Sequence, residues 1–85
     1  MTNFGLTWTP NADDQLANIW IVAPDRPTVT AAAYQIERRL SVDPVHAGYE
    51  LAEGLYRIDA PPLAALYQIN DATKEVEIES VFRLI

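Results

Sequence analysis

The chain has 85 residues, of which 49 % are hydrophobic and 21 % charged. That is the composition of a folded domain and not of a disordered tail. Twelve acidic residues against six basic give a net charge of −6, which excludes a generic nucleic-acid binder with a basic face and leaves room only for a local basic spot. Cysteine is absent and His46 is the one histidine, so disulfides, thiol nucleophiles and zinc sites built from Cys or several His are excluded, and no metal or cofactor is expected.

At this length one domain over residues 1–85 is expected, with a thin core. Met1-Thr2-Asn3-Phe4 lacks the basic and then apolar pattern of a secretory leader. No apolar run approaches the roughly 20 residues that span a bilayer. The expectation is a cytoplasmic protein with no membrane contact.

In chain order, Phe4-Gly5-Leu6-Thr7-Trp8 alternates and predicts a short strand with Phe4, Leu6 and Trp8 on one face. Thr9 is a good N-cap and Pro10 suits the first helical position. Asp13 and Asp14 favour the positive end of that helix. Ala12, Leu16, Ile19, Trp20 and Ala23 recur at helical spacing, and Pro24 ends the run. Trp8 and Trp20 are expected to be core residues tying strand to helix.

Pro27 opens a second helix whose stripe is Val29, Ala32, Ala33, Ile36 and Leu40, closed by Asp43-Pro44. So short a link predicts an antiparallel helix hairpin. Residues 45–54 read as a loop with a short strand around Tyr49–Leu51. Leu55–Asp59 reads as a strand, Ala60-Pro61-Pro62 as a turn, and Leu63–Asn70 as a strand with Ala65, Tyr67 and Ile69 on one face. Asn70-Asp71-Ala72-Thr73 is a hairpin loop. Lys74–Leu84 is the last strand. Strict alternation puts Val76, Ile78 and Phe82 on one side, and Glu75, Glu77, Glu79, Val81 and Arg83 on the other. The class is α+β, in the order β-α-α-β-β-β. The hairpin must cover one face of a mainly antiparallel sheet, and the other face stays open.

Candidate functional residues are few. Only Gly5, Gly48 and Gly54 exist, so no phosphate-binding glycine loop is present. Glu75, Glu77 and Glu79 on one strand face suit either a cation site or a solvated face that discourages edge pairing. His46 in a loop suits either acid–base work in a small hydrolase, with a nearby carboxylate, or a surface position; a Ser-His-Asp site would need Ser41 or Ser80, neither of which sits in a nucleophile-elbow context. Arg38 and Arg39 near a helix C-terminus complement its dipole, and could also grip an acidic partner peptide. Alternation puts Arg57 and Arg83 opposite the core residues of their strands. If those faces coincide, two cations meet on the open sheet near Asp59, Gln68, Glu77 and Glu79; cross-strand ion pairing is the structural alternative.

The run Trp8-Thr9-Pro10-Asn11-Ala12-Asp13-Asp14-Gln15-Leu16-Ala17-Asn18-Ile19-Trp20 resembles the opening of RelE/ParE-type toxins of type II toxin–antitoxin pairs, the plasmid-stabilisation type. Asp43-Pro44, Gly54-Leu55-Tyr56-Arg57, Leu66-Tyr67-Gln68-Ile69-Asn70-Asp71 and Glu75-Val76-Glu77-Ile78 resemble later segments of that family. The resemblance implies a β-α-α-β-β-β fold over nearly the whole chain. It implies a cognate antitoxin that wraps the toxin, and a target that is either ribosome-bound mRNA, cleaved by an endoribonuclease, or DNA gyrase.

The nuclease branch stabilises the scissile phosphate with sheet and C-terminal cations. On that resemblance Arg57 and Arg83 are the residues for catalysis, and Tyr67 matches a packing tyrosine. Other basic positions are replaced by Ala64 and Gln68. Leu84 and Ile85 stand where nuclease members carry His or Tyr, and Glu50 matches a loop glutamate only with poor spacing. A net charge of −6 opposes RNA or the ribosome as a target. Two readings therefore stand: a toxin-like protein held by an antitoxin, or a non-catalytic protein-binding module that has lost the basic site. The sequence leaves room for a homodimer in either.

Overall fold

A computed structural model describes residues 3–84. Met1, Thr2 and Ile85 lie outside the described residues, so of the Leu84 and Ile85 pair only Leu84 is placed.

The elements are β1 (Gly5–Trp8), α1 (Pro10–Val22), α2 (Arg26–Val42), a one-turn α3 (Pro44–Ala47), β2 (Tyr49–Ala52), β3 (Leu55–Ala60), β4 (Leu63–Asn70) and β5 (Glu75–Arg83). Five strands form one sheet in the order β1-β5-β4-β3-β2. β1 runs parallel to β5, and the other neighbours are antiparallel. The α+β order with a helix hairpin on one sheet face is as the sequence predicts. The stretch expected as a loop also supplies α3, and the short strand there becomes β2.

Local chemistry sets the helix ends. The Thr9 hydroxyl accepts from the Ala12 N–H at 3.1 Å, with Pro10 as the first helical residue, so two of the four orphan donors of α1 cost nothing. Pro44 ends α2, and Asp43 then caps α3 by accepting from the His46 N–H.

The core lies between hairpin and sheet. Val29, Ala32, Ile36 and Leu40 of α2 meet Ile58, Leu63, Ala65, Tyr67, Val76, Ile78 and Val81 of the strands, all buried. Each of the larger aliphatic side chains contributes about 1.5–3 kcal/mol by leaving water. The Tyr67 hydroxyl is buried with its ring and donates to the Pro44 carbonyl at 2.7 Å, which ties β4 to α3. Burial pushes the Tyr67 phenol up to about 12.

Of the two tryptophans expected in the core, Trp8 packs there and Trp20 does not. Trp8 is half-buried against the core, and its Nε1–H donates to Glu37 of α2 at 3.2 Å. Trp20 is 43 % exposed. Its Nε1–H donates to the Thr30 hydroxyl at 3.1 Å, and the Arg26 guanidinium stacks 4.7 Å from its ring centroid. Ala12 of α1 and Ala23, its C-cap, take the buried places of the stripe, because small residues let α1 sit close to the sheet.

The main correction concerns β5. The pairing with β4 shifts between Leu66 and Tyr67: Leu66 faces Ser80 and Tyr67 faces Ile78, so Glu79 is the extra residue of a β-bulge. Alternation inverts beyond it. Val81 turns into the core at 2 % exposure, while Phe82, expected inside, lies opposite Ala64 on the open face. Arg83 follows Val81 to the helix side, in register with Leu63. α1 takes over where β1 ends: the Gln15 amide oxygen accepts from the Val81 N–H at 2.8 Å and the Ser80 hydroxyl at 3.0 Å. Thr9 and Asn11 donate to the Glu79 carbonyl, each at 3.2 Å.

Candidate functional site

The sheet face away from the helices has two ends of opposite character. β3 alternates Ile58 and Ala60 inward with Arg57 and Asp59 outward, and β4 alternates Ala65 and Tyr67 inward with Ala64, Leu66 and Gln68 outward. At one end the Arg57 Nε–H donates to Asp59 Oδ1 at 2.7 Å, and the guanidinium lies 5.2 Å from the Phe82 ring centroid. Tyr49 of β2 is the cross-strand neighbour of Arg57. Hydrogen bonding to the Asp59 carboxylate raises the Arg57 pKa above its ordinary value. Ala64, between Asp59 and Phe82 in register, is fully covered although it belongs to this face.

At the other end Glu75 and Glu77 of β5 border a groove of about 420 Å³, lined also by Thr7, Gln68, Asn70 and Asp71. Glu79 follows at the bulge, where Gln68 Nε2 donates to it at 3.4 Å. A hydrogen bond from Glu77, then burial, then the Glu77 charge hold the Glu79 pKa above its ordinary value. Among the described residues no group of three His, Cys, Asp or Glu side chains is arranged to hold a metal ion. The face therefore offers one guanidinium with an aromatic floor, set beside carboxylates. That suits an anion or a planar group at the Arg57 end, and it opposes a long polyanion lying across the whole face.

The two arginines expected together are apart. Arg57 is on the open face as predicted. Arg83 is on the helix side, where its guanidinium donates to Asp25 Oδ2 at 2.8 Å in the link between α1 and α2. That hydrogen bond raises the Arg83 pKa and holds the Asp25 carboxyl below its ordinary range. The reason is the bulge at Glu79, which turned Arg83 over.

Arg39 donates to the backbone carbonyls of Asp59 and Ala47, at 3.2 and 2.8 Å, and so fastens α2 to β3 and α3. Arg38 is exposed beside a groove of about 470 Å³ with Gln35, Val42 and Ala47. His46 is a surface residue on α3, its Nδ1 3.0 Å from Asp43. Ser41 Oγ donates to the Glu37 carbonyl and Ser80 Oγ to Gln15, so both hydroxyls are engaged away from His46. Glu50 accepts from the Gly54 N–H and holds the β2–β3 turn. The sequence reading missed Tyr49 and Phe82 beside Arg57. For Tyr49 the signal was available: it lies in the short strand before an arginine-bearing one. For Phe82 the bulge concealed it.

No family model matches the sequence, and no curated protein sequence is similar to it. Solved structures are similar in fold. The chain superposes with a TM-score of 0.81 at 23 % identity on the RelBE2 toxin–antitoxin complex from Mycobacterium tuberculosis, covering 98 % of this chain and 93 % of that one. The archaeal RelE–RelB complex from Pyrococcus horikoshii gives 0.71 at 16 % identity, with 98 % and 96 % covered. The chromosomal ParDE system of P. aeruginosa gives 0.67 at 21 % identity, with 96 % and 97 % covered. The fold is the RelE/ParE toxin fold, a mixed five-stranded sheet behind an N-terminal helix hairpin. No helix among the described residues is long and apolar enough to cross a membrane.

Proposed function

We propose that the chain is the toxin-like member of a toxin–antitoxin pair and is held by a cognate antitoxin. The observation that carries this reading is the superposition of nearly the full chain on proteins solved as RelE–RelB and ParDE systems. Fold alone does not fix chemistry, so the target is argued from the open face. Stabilising a phosphate transition state needs cations aimed at it. The reading gives that task to Arg57, and its support is an exposed-face guanidinium 5.2 Å from the Phe82 ring centroid and bonded to Asp59. Arg83 is read as a clamp between β5 and the helix link. Arg38, exposed on α2, is the cation available to an acidic stretch of the antitoxin, while Arg39 is occupied with backbone.

The second reading is a binding module on the same scaffold without catalysis. It is favoured by Ala64 and Gln68 where basic residues would help RNA, and by Glu75, Glu77 and Glu79 on the same face. Induced expression separates the two. Growth arrest relieved by co-expressing the adjacent gene supports the toxin, and normal growth at high expression supports the module. If arrest comes with mRNA cleavage, Arg57→Ala lowers the cleavage rate roughly 10–1000-fold, the range for losing a preorganised charge. An unchanged rate removes Arg57 from the chemistry.

A further inference from the structure

The cations of this chain are engaged by the protein itself in two different ways. Arg26 and Arg39 donate to backbone carbonyls, Arg83 donates to Asp25, and the Lys74 ammonium lies 5.4 Å from the Phe4 ring centroid. Each of these contacts ties together separate parts of the chain. Arg57 is different. Its partner, Asp59, is two residues along the same strand, so the pair fastens no two elements to each other. Residues i and i+2 of a strand share a face, and Arg57-Ile58-Asp59 therefore sets a carboxylate beside the one arginine of the open face among the described residues.

We propose that Asp59 is a specificity-determining residue of this face, its carboxylate standing where a phosphate oxygen would otherwise bind Arg57. The inference rests on Arg57 as the anion seat proposed above. Carboxylate and phosphate offer a guanidinium the same kind of oxygen, so they compete for the same donors. Asp59 Oδ1 holds the Arg57 Nε–H at 2.7 Å, and the Phe82 ring lies 5.2 Å from the guanidinium. A phosphate using the remaining Nη groups would lie within about 4–6 Å of the Asp59 charge, where like charges disfavour each other.

The competitor is built into the sheet. The Asp59 carbonyl accepts from Arg39 at 3.2 Å on the helix side, and its strand position is in register with Ala64, so its main chain is held from two directions. The Arg57 side chain is only 26 % exposed, which shields the pair from the solvent that makes open surface pairs weak. With Arg57 balanced by Asp59, Glu75, Glu77 and Glu79 leave the face with a net negative charge. A phosphodiester therefore meets repulsion at the position where the strand supplies the cation.

Titration of the full chain with inorganic pyrophosphate, to roughly 20 mM at constant ionic strength, tests it. The Arg57 Nε–H resonance in proton–nitrogen NMR spectra is the readout, and the dispersion of the same spectra reports the fold. Asp59→Asn is expected to bind pyrophosphate at Arg57 at least about 10-fold more tightly than the parent, the scale of one charge-assisted hydrogen bond. Asp59→Ser is expected to do the same, and adding Arg57→Ala to Asp59→Asn abolishes the gain. Glu79→Gln, which changes the net charge equally, leaves the parent's affinity within about twofold. Equal binding by the parent and both Asp59 variants overturns the proposal, as does a Glu79→Gln gain as large as that of Asp59→Asn. Absence of binding at Arg57 in every variant overturns it too, because Asp59 then has no anion to exclude. No outcome depends on toxicity or cleavage, so growth arrest on expression tests the toxin reading separately.

Discussion

The two faces of the one sheet follow different rules. On the helix side, Ile58, Ala65, Tyr67, Val76, Ile78 and Val81 are closed off from water, and packing dictates each residue. On the open side, Arg57, Asp59, Glu75, Glu77 and Glu79 lie within two strands of each other, and electrostatics decides what that face tolerates. Substitutions on the first face should be read in stability. Substitutions on the second should be read in binding and in pH dependence. The fold thus separates its scaffold from its working surface across the thickness of a single layer.

The largest break in that contrast should come from Gly48, between α3 and β2. A Cβ there would run into the Arg57 carbonyl and lie 2.7 Å from the Tyr67 hydroxyl. Gly48→Ala must therefore push β2 off β3 or displace the buried phenol from Pro44. The expected cost is about 3 kcal/mol, measured by urea unfolding. A cost below about 0.5 kcal/mol would mean that β2 floats on the sheet and that packing does not dictate the covered face at this point.

Gln15 tests the boundary between the faces. Its side-chain oxygen accepts from the Val81 N–H and the Ser80 hydroxyl just past the bulge. Gln15→Ala leaves a strand N–H at the sheet edge unpaired and should cost about 1–2 kcal/mol. Gln15→Glu keeps the acceptor and should recover most of that loss. Equal losses in both variants would show that the bulge holds itself in place.

The same bulge marks the limit of what the sequence discloses. The helix ends are written in Thr9-Pro10 and Asp43-Pro44, the α2 stripe in Val29, Ile36 and Leu40, and the β4 face in Ala65 and Tyr67, because local chemistry and a constant period fix them. Glu79 continues the Glu75, Glu77 alternation, so nothing local announces that it is the extra residue. The groups that hold the bulge, Thr9 and Asn11 on Glu79 and Gln15 on Ser80 and Val81, lie 65 to 70 residues away. Arg57 was therefore legible as an open-face cation, while Arg83 was assigned to the wrong side and Phe82 was hidden. Trp20 failed for another reason. Its place on the apolar stripe is real, but Ala12 and Ala23 bring α1 too close to the sheet for an indole to fit beneath.

The smallest expected effect contrasts two carboxylates, one for each face, by the sign of their pH dependence. Asp25 on the helix side has its pKa lowered by the Arg83 hydrogen bond. Its contribution is present above the ordinary value of 3.8 and is lost as pH falls through the lower folded value. Glu79 on the open face has its pKa raised above 4.5 by Glu77. The folded state binds that proton more readily than the unfolded chain. Its contribution is therefore fully present below 4.5 and is lost as pH rises through the folded value. Glu79→Gln keeps a hydrogen-bonding side chain and removes the second charge beside Glu77. The variant should be slightly more stable than the parent at pH 7, and the difference should vanish toward pH 4. The Asp25 limb at lower pH should not move. Thermal melts across that range decide it: a gain that persists unchanged at pH 4 would trace to packing at the bulge, and repulsion on the open face would then not be what distinguishes it from the covered one.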